Sequence, residues 1–338
     1  MPAVSVLMPC YNAGAMLDEA LESLVCQTLS DIEIICVEDG STDDTPLRLD
    51  RWARSERRLR VVSQPHSGVI VASNNGLQYC TAPYLARLDA DDRAHPERLA
   101  RQAAYLDAHP EAGLVSCQVA GFPAEHVRRG FAIYLEWLNG LLSDEDIRRE
   151  LFIESPLPHP SVTIRREVLL GAGGYLDFGW PEDYDLWMRL YLAGVRFAKL
   201  PQVLVEWREH PARLTRTDKR YSLENFLRLK AYYLARGPLA GRDAVAVWGA
   251  GMVGGRLGKR LARQGVPVEA YIDIDPCKIG STRHGRPILP PEALPDWWGR
   301  FKNPVLLAAV GARGARQLIR QRLLAMGLHE GQDWWGAA

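Results

Sequence analysis

The sequence predicts an α/β protein with a mostly parallel β-sheet, followed by a smaller α/β unit. Two observations predict it. Short apolar runs alternate with helical segments over residues 4–88, the pattern of a parallel sheet covered by helices. The same alternation begins again after a helix stop signal, Gly237 and Pro238. At about 150 residues per domain the chain has room for two, and we expect them at residues 1–237 and 242–338.

The individual elements follow from apolar periodicity and capping residues. Leu17, Leu21 and Leu24 are spaced for one face of a helix, and Ser, Thr and Asp residues before residue 45 can cap the next one. Strands are predicted at residues 4–8, 32–37, 59–62, 84–88, 162–165, 203–208, 244–248, 268–272 and 305–310. Helices are predicted at residues 16–24, 42–53, 72–80, 131–142, 145–152, 182–192, 221–234, 255–264 and 315–326.

The composition excludes several classes of protein. Hydrophobic residues make up 47% of the chain, as in ordinary folded proteins, and 41 basic side chains balance 41 acidic ones, so no nucleic-acid partner is expected. The six cysteines form no zinc-binding pattern and read as free thiols in a reducing compartment. No window approaches the ~18 apolar residues of a transmembrane segment. We therefore expect a cytoplasmic protein that acts on small molecules.

Asp89 and Asp91 are the first candidate functional residues. They follow the predicted strand 84–88, and residues two apart in an extended segment point to the same face. Two carboxylates thus converge beyond the carboxyl edge of a parallel sheet, where ligands commonly bind. Oxygen ligands of this kind suit Mg²⁺ or Mn²⁺ together with a substrate phosphate. The alternative is a solvated acidic turn, although stacked carboxylates repel each other and a cation would relieve that repulsion.

Four segments together resemble family 2 glycosyltransferases, in that family's order. They are VSVLMPCYN at 4–12, VEDGSTD at 37–43, LDADD at 88–92 and EDYDLWMRL at 182–190. The resemblance covers roughly residues 1–235. It implies a GT-A nucleotide-diphospho-sugar transferase fold, a nucleotide-diphosphate sugar donor, a divalent metal and inversion at the anomeric carbon. The fold class is then a GT-A domain followed by a smaller Rossmann-like α/β domain.

The resemblance also implies positions for the donor and the metal. Glu38 and Asp39 stand where the family binds the base, and Glu38 is a small departure because the family more often has Asp there. Near the end of the resemblance, His210 could complete a Mn²⁺ shell, because a neutral imidazole suits that ion. Arg208 could instead face the diphosphate, because a guanidinium binds phosphate well. The expected donor-binding residues are Pro9, Tyr11, Asn12, Glu38, Asp39, Asp89 and Arg208, and the expected metal ligands are Asp91, Asp89 and His210.

Glu182 and Asp183 open the strongest predicted helix. Carboxylates in a first helical turn are favoured by the backbone dipole, so simple capping would explain them. The resemblance places them at the family's acidic pair, and Asp183 is then the general base that deprotonates an acceptor hydroxyl, with Glu182 as the alternative. His159 resembles a segment on the acceptor side, although a lone histidine is more often a packing residue.

The last third carries a glycine motif. Gly249, Gly251 and Gly254 follow a predicted strand and open a helix, and Asp273 ends the next strand, which is the context of a dinucleotide-binding turn. The motif predicts a Rossmann-like unit with either a structural or ligand-sensing role or a bound nucleotide.

The leading hypothesis is an inverting, metal-dependent glycosyltransferase of cell-surface polysaccharide or glycoconjugate synthesis. UDP is the expected donor nucleotide because it is common in the family, and a lipid-linked hydroxyl acceptor would bring the protein to the inner membrane face as a peripheral contact. The alternatives are an NAD-linked oxidoreductase, which leaves the first two-thirds unexplained, and a nucleotide-sugar binding protein without activity.

Overall fold

The computed structural model describes residues 1–312 and 314–338. The chain folds into two compact units. The N-terminal unit comprises Met1–Ile147, Pro156–Phe178 and Glu182–Thr217. The C-terminal unit comprises Arg148–Ser155, Gly179–Pro181 and Asp218–Ala338. This division places the helix at Leu223–Arg236 with the C-terminal unit, and the domain bounds at 237 and 242 stay a prediction.

The N-terminal unit is built on one eight-stranded mixed sheet in the order β3-β2-β1-β4-β7-β6-β8-β5. Strands β3, β2, β1 and β4 are mutually parallel, as predicted, whereas β7 is antiparallel to both of its neighbours and β5 is antiparallel to β8. The strands are β1 (Val4–Cys10), β2 (Ile32–Asp39), β3 (Leu59–Gln64), β4 (Tyr84–Arg87), β5 (Arg93–Ala94), β6 (Ala112–Phe122), β7 (Thr163–Arg165) and β8 (Arg196–Arg208).

Helices lie on both faces of this sheet. Leu7 of β1 faces Gly76, where an added Cβ would lie 2.4 Å from the Leu7 side chain. The neighbouring residues of β1, Val6 and Met8, point the other way and join the core cluster that contains Leu17. The helices up to residue 236 are α1 (Met16–Val25), α2 (Thr45–Ser55), α3 (Val69–Leu77), α4 (Arg98–Ala108), α5 (Arg129–Asn139), α6 (Asp144–Glu150), α7 (Arg166–Gly171), α8 (Glu182–Leu192), α9 (Leu214–Thr217) and α10 (Leu223–Arg236).

The C-terminal unit has a six-stranded sheet in the order β11-β12-β10-β9-β13-β14. All neighbours are parallel except β11 and β12. Its remaining elements are β9 (Ala244–Trp248), α11 (Met252–Arg263), β10 (Val268–Ile272), β11 (Thr282–Arg283), β12 (Arg286–Leu289), α12 (Leu294–Trp298), β13 (Pro304–Ala308), α13 (Ala315–Ala325) and β14 (Trp334–Gly336). Both parts of the predicted fold class are therefore present.

The glycine motif makes the turn from β9 into α11 possible. Gly249 has φ of +122°, a conformation that side chains rarely adopt. Gly254 lies so close to this turn that an added Cβ would stand 1.9 Å from the Gly249 carbonyl oxygen. The motif thus has a packing reason of its own, independent of any ligand.

Candidate active site

Three strand ends meet at one edge of the larger sheet. β1 is paired in parallel with β2 on one side and with β4 on the other, so Leu7 lies opposite both Ile35 and Arg87. These strands end at Cys10, Asp39 and Arg87, and the predicted donor and metal residues from Pro9 to Asp91 lie at these strand ends or in the segments that follow them. Most of the predicted donor and metal residues are therefore brought to the same sheet edge, the position where ligands bind in open α/β sheets.

Asn12 ties the loop after β1 to the loop after β2. It has φ of +49°, and its carbonyl oxygen Oδ1 accepts a hydrogen bond from the Thr42 backbone N–H at 2.8 Å. Its own N–H donates to Ser41 Oγ at 3.1 Å, and the Ser41 N–H donates to Glu38 Oε1 at 2.5 Å. Asn12 and Glu38 thus hold the shape of this edge, while Pro9 is the last but one residue of β1.

Asp39 shapes the loop that follows β3. Its buried carboxylate accepts hydrogen bonds from the backbone N–H groups of Ser67 and Gly68, both at 2.9 Å. It also lies 2.9 Å from Nδ1 of His66. The His66 ring stacks on Tyr11, with ring centroids 3.9 Å apart and planes inclined by 21°. An aromatic platform, Tyr11 on His66, therefore stands at the sheet edge, and His66 is a residue that sequence reasoning missed.

The acidic segment after β4 forms a compact cluster. Asp89, Asp91 and Asp92 offer carboxylate oxygens that all lie within 4.8 Å of one another. Burial, together with the negative charges of Asp91 and Asp89, raises the pKa of Asp92 well above its ordinary value. The sequence predicts that Asp89 and Asp91 converge, and the structure adds Asp92 as a third carboxylate. Asp92 directly follows Asp91, and this position was its signal in the sequence.

Each carboxylate of the acid cluster has a different partner. Asp89 pairs with Arg87, whose Nη2 lies 2.8 Å from Asp89 Oδ1. Asp91 Oδ2 lies 2.8 Å from Nε2 of His210. Asp92 Oδ1 accepts from a backbone N–H at 2.7 Å, but its buried Oδ2 has no hydrogen-bond partner among the described residues. A buried oxygen of this kind is costly unless something binds it.

The donor set of the acid cluster fits a divalent cation. Carboxylate oxygens are the protein ligands that Mg²⁺ and Mn²⁺ prefer, and the unpartnered Asp92 oxygen offers a free position. The imidazole of His210 already contacts Asp91 at the edge of the cluster. The residues present therefore suit either of these ions.

Arg208 is held by protein groups rather than left free. Its guanidinium forms an ion pair with Glu19 and donates from Nε to the Asp91 carbonyl at 2.6 Å. The same guanidinium lies over the Phe122 ring, 4.3 Å from its centroid. Arg208 thus fastens β8 to the turn that carries Asp91. The sequence had offered it as a diphosphate ligand, and these contacts favour a supporting position instead.

Glu182 and Asp183 begin helix α8 next to this site. Asp183 Oδ1 accepts from the backbone N–H of Tyr184 at 2.7 Å, which is a contact between neighbouring residues at the helix start. Burial raises the pKa of Asp183 to about 8, and the charges of Glu182 and Asp89 act in the same direction. A carboxyl group with a pKa near neutral pH has the property that a general base needs.

Arg87 offsets part of the negative charge of the acid cluster. It is 4% exposed, donates from Nη1 to Ser73 Oγ at 2.9 Å, and pairs with Asp89. Burial opposes the ionised form of Asp89, but the Arg87 guanidinium nevertheless holds the pKa of Asp89 below its ordinary value. The signal in the sequence was an arginine within the apolar strand β4, because a buried charge requires a partner.

His159 lies in a buried aromatic setting. Its Nε2 is 3.0 Å from the Tyr175 hydroxyl, and its ring meets the Trp187 ring edge-on at 5.9 Å between centroids. Burial lowers the pKa of His159 to about 3, aided by the positive charge of Arg87. His159 is therefore neutral near pH 7. Its contacts favour a packing and orienting position, and its assignment to the acceptor side stays a prediction.

Comparison with known proteins gives the class of protein that this fold and site define. The family model of glycosyl transferase family 2 matches residues 5–171. The amylovoran biosynthesis glycosyltransferase AmsE of Erwinia amylovora is 36% identical over 208 residues, which are 60% of this chain and 75% of AmsE. The putative glycosyltransferase EpsE of Bacillus subtilis is 29% identical over 66% of this chain and 79% of EpsE.

The chain belongs to glycosyl transferase family 2, and it is a glycosyltransferase. A solved structure agrees on the fold: S. aureus TarS 1–349 in complex with UDP-GlcNAc superposes with a TM-score of 0.54 at 19% identity, covering 78% of this chain and 71% of that one. A longer TarS crystal structure is matched over 40% of its length. The predicted family, enzyme class and GT-A fold are therefore confirmed.

No helix in the described part of the chain is both long and apolar enough to cross a bilayer.

Proposed function

We propose that this glycosyltransferase moves a sugar from a nucleoside diphosphate donor to a hydroxyl acceptor, with inversion at the anomeric carbon, in the synthesis of a cell-surface polysaccharide. The observation that carries the proposal is the pairing of two features. One is an acid cluster suited to a divalent cation, and the other is Asp183, a carboxyl group whose raised pKa responds to the charge of that cluster.

The donor side of the proposal rests on the sheet edge. The platform of Tyr11 on His66 offers a flat surface to the base, and the loop fixed by Asn12 and Glu38 borders it. Tyr11 is 45% exposed, so its outer face is available for stacking. A UDP-sugar is the proposed donor, and the UDP-GlcNAc in the TarS complex supports this choice.

The cofactor of the proposal is Mn²⁺ or Mg²⁺. Asp89, Asp91 and Asp92 would hold it, with His210 at the edge of the cluster. When bound there, it would neutralise negative charge that develops on the departing diphosphate. Arg87 keeps Asp89 ionised for this purpose, and Arg208 keeps the Asp91 turn in place.

The acceptor side of the proposal rests on Asp183. Its carboxylate takes the proton of the acceptor hydroxyl, and the hydroxyl oxygen forms a bond to the anomeric carbon as the bond to the diphosphate breaks. A single displacement of this kind inverts the anomeric configuration. The neighbouring Glu182 is 3% exposed and raises the basicity of Asp183 through its charge. A lipid-linked acceptor would bring the cytoplasmic protein to the inner membrane face.

Ligand-dependent thermal stability tests the proposed function. We expect one of the UDP-, GDP- or TDP-sugars to raise the melting temperature of the full chain in the presence of Mn²⁺ but not in EDTA, because the donor and the ion share the acid cluster. NAD(H) serves as the comparison ligand. If no nucleotide sugar gives a metal-dependent shift, the proposed donor site is wrong.

The pH dependence of transfer follows from Asp183. Because the group acts in its ionised form and its pKa is raised to about 8, kcat/KM should rise with pH from 6 to about 8 and then level off. Initial rates at low donor concentration, measured in buffers of constant ionic strength, would show this limb. An Asp183→Glu variant should move the midpoint of the limb. A flat wild-type profile between pH 6 and 9 would contradict this role.

A further inference from the structure

Two adjoining cavities lie in the C-terminal unit, at the carboxyl edge of its own sheet. Their volumes are about 510 and 420 Å³, and they share Gly251, Met252 and Lys278 in their walls. Cavities of a few hundred Å³ are the usual size for small-molecule sites. None of these residues has a part in the glycosyl transfer proposed above.

The larger cavity is basic. Arg256 and Arg283 line it, and neither guanidinium has an acidic partner anywhere in residues 1–312 and 314–338. The Nε atom of Arg283 is buried without any hydrogen-bond partner among them. The hydroxyl-bearing residues Ser281 and Thr282 stand in the same wall. Arg283 is half-buried and Arg256 is exposed. Two guanidinium groups without acidic partners, beside hydroxyl groups, form an arrangement that suits a phosphate group.

The backbone adds to this positive character. The cavity wall includes Gly251 and Met252, the start of α11, where the first N–H groups have no partner within the helix and the dipole favours an anion. Gly255 leaves room for the Arg283 guanidinium, because a Cβ at residue 255 would stand 2.3 Å from the Arg283 Nε atom. The guanidinium therefore lies directly against the first turn of the helix.

Asp273 is committed to shaping the turn. Its Oδ2 accepts from the Ala250 backbone N–H at 3.0 Å and lies 3.3 Å from Lys278 Nζ, and its Oδ1 accepts from the Asp275 N–H at 3.0 Å. The sequence had placed Asp273 among the nucleotide-binding residues. These contacts make it a positioning residue, which fixes the glycine turn and Lys278 at the cavity rim.

The smaller cavity is apolar. Trp248, Val310 and Ile319 line its wall, and the large side chains of Met252 and Leu318 there are 58% and 69% exposed. Exposed apolar side chains gathered around a cavity are typical of a ligand surface. The basic and apolar cavities together suit one molecule with a phosphate part and a flat organic part.

We infer that the C-terminal unit binds a nucleotide with a diphosphate group, its phosphates against Arg256, Arg283 and the start of α11 and its nucleoside in the apolar cavity. Two sources share this chemistry: a nucleotide sugar related to the donor, and an adenine nucleotide or dinucleotide. All residues of this site belong to the C-terminal unit, and none of them is a proposed donor-site residue.

Binding to the full-length Asp91→Asn protein in EDTA tests this inference, because both conditions remove the metal-dependent donor site. Calorimetric titrations would use inorganic pyrophosphate, UDP, UDP-GlcNAc, ADP and NAD⁺. We expect pyrophosphate to bind and one of the nucleotides to bind more tightly. The preference between uridine and adenine compounds distinguishes the two sources.

Two matched pairs of variants examine the two cavities separately. Arg256→Ala should weaken pyrophosphate and nucleotide binding about tenfold, whereas Arg263→Ala, at an exposed arginine farther along the same helix, should not. Leu318→Gln should weaken nucleotide binding and leave pyrophosphate unaffected. Leu324→Gln, at another exposed leucine of α13, should change neither.

Gly255→Ala adds a variant that keeps every charge but displaces the Arg283 guanidinium, and it should weaken pyrophosphate binding. Three results would overturn the inference. They are no binding of any probe at millimolar concentration, equal binding by Arg256→Ala and Arg263→Ala, and binding of pyrophosphate without any gain from a nucleoside. Because the titrations exclude metal, a failure here leaves the metal-dependent test of the donor site unaffected.

Discussion

Asp183→Asn is expected to lower kcat about 10²–10⁴-fold, the usual contribution of a general base, while donor binding changes little. The amide has nearly the shape of the carboxyl group but cannot accept the acceptor proton. It can still accept the hydrogen bond from the Tyr184 N–H that Asp183 Oδ1 now receives. Donor affinity, measured by titration with Mn²⁺ present, and kcat, measured by product formation, separate the two effects.

Glu182→Gln is the matched comparison, because Glu182 is the neighbouring carboxylate and the alternative base. It should lower the pKa of Asp183 by removing a negative charge, and so move the pH profile to lower pH with a smaller loss of kcat. A larger loss in Glu182→Gln than in Asp183→Asn would exchange the two roles. Near-normal turnover by Asp183→Asn would remove Asp183 from the mechanism.

Thermal stability separates a lost base from a damaged fold. Since the folded-state pKa of Asp183 is raised to about 8, the folded protein keeps a proton that the unfolded chain releases near pH 4. The free energy of unfolding therefore falls as pH rises from about 4 to 8, and the destabilisation is complete above 8. Asp183→Asn removes this effect, so above pH 8 the variant should melt no lower than the wild type.

The sequence was sufficient for the parts of the fold with clear periodicity. Helix α8 and strands β9 and β10 have the predicted bounds, since each combines an unbroken apolar pattern with a clear start or stop signal. The sheet edge that carries Asp89 and Asp91 follows from the same kind of evidence, whereas the GT-A class follows from the resemblance of four segments to family 2 glycosyltransferases. These signals are local, and so are readable without knowledge of the fold.

Helix α4 and strand β6 were not predicted. β6 contains Gly113 and Gly121, which suggest irregular chain, but both are required by close packing. A Cβ at Gly113 would lie 2.3 Å from the Val195 side chain, and one at Gly121 would lie 2.9 Å from the Val127 side chain. A glycine demanded by packing against another element cannot be distinguished from a loop glycine in the sequence alone.

Strand β8 is another element whose full extent was not predicted from the sequence. It was predicted only from residue 203 onwards, but it begins at Arg196. Its pairing with β6 shifts between Leu200, opposite Cys117, and Val203, opposite Gln118. Pro201 lies in this irregularity, where its missing N–H is tolerated. The strand therefore continues through Pro201, and the predicted strand covers only the part that follows it.

The supporting residues of the site were the least predictable. His66 lies under Tyr11, and Glu19 pairs with Arg208 from 189 positions away in the sequence. Such partners are chosen by the fold and not by spacing along the chain. Asp92 is the exception, because it adjoins a recognised motif, and only its buried unpartnered oxygen distinguishes it from a solvated neighbour.

Asp91→Asn is expected to weaken Mn²⁺ binding and to reduce transfer accordingly. Loss of a residue that only hydrogen-bonds to a metal ligand costs roughly 10–100-fold in metal affinity, and loss of a proposed ligand such as Asp91 should cost more. Asp91 offers one of the three clustered carboxylates, and it is the one whose oxygen contacts His210. The free Mn²⁺ signal in electron paramagnetic resonance gives the affinity directly, without any need for the acceptor.

Asp92→Asn and Asp50→Asn complete this experiment. Asp92→Asn replaces the unpartnered oxygen with an amide nitrogen, which cannot ligate a cation, and retains the acceptor for the Arg208 N–H, so it should also weaken Mn²⁺ binding. Asp50 is an exposed carboxylate of α2 outside the cluster, and its variant should bind Mn²⁺ like the wild type. Unchanged affinity in both cluster variants would show that the three carboxylates are not the metal site. Because Asp92 is the residue that sequence reasoning did not assign, its variant decides whether the unpartnered oxygen takes part in metal binding.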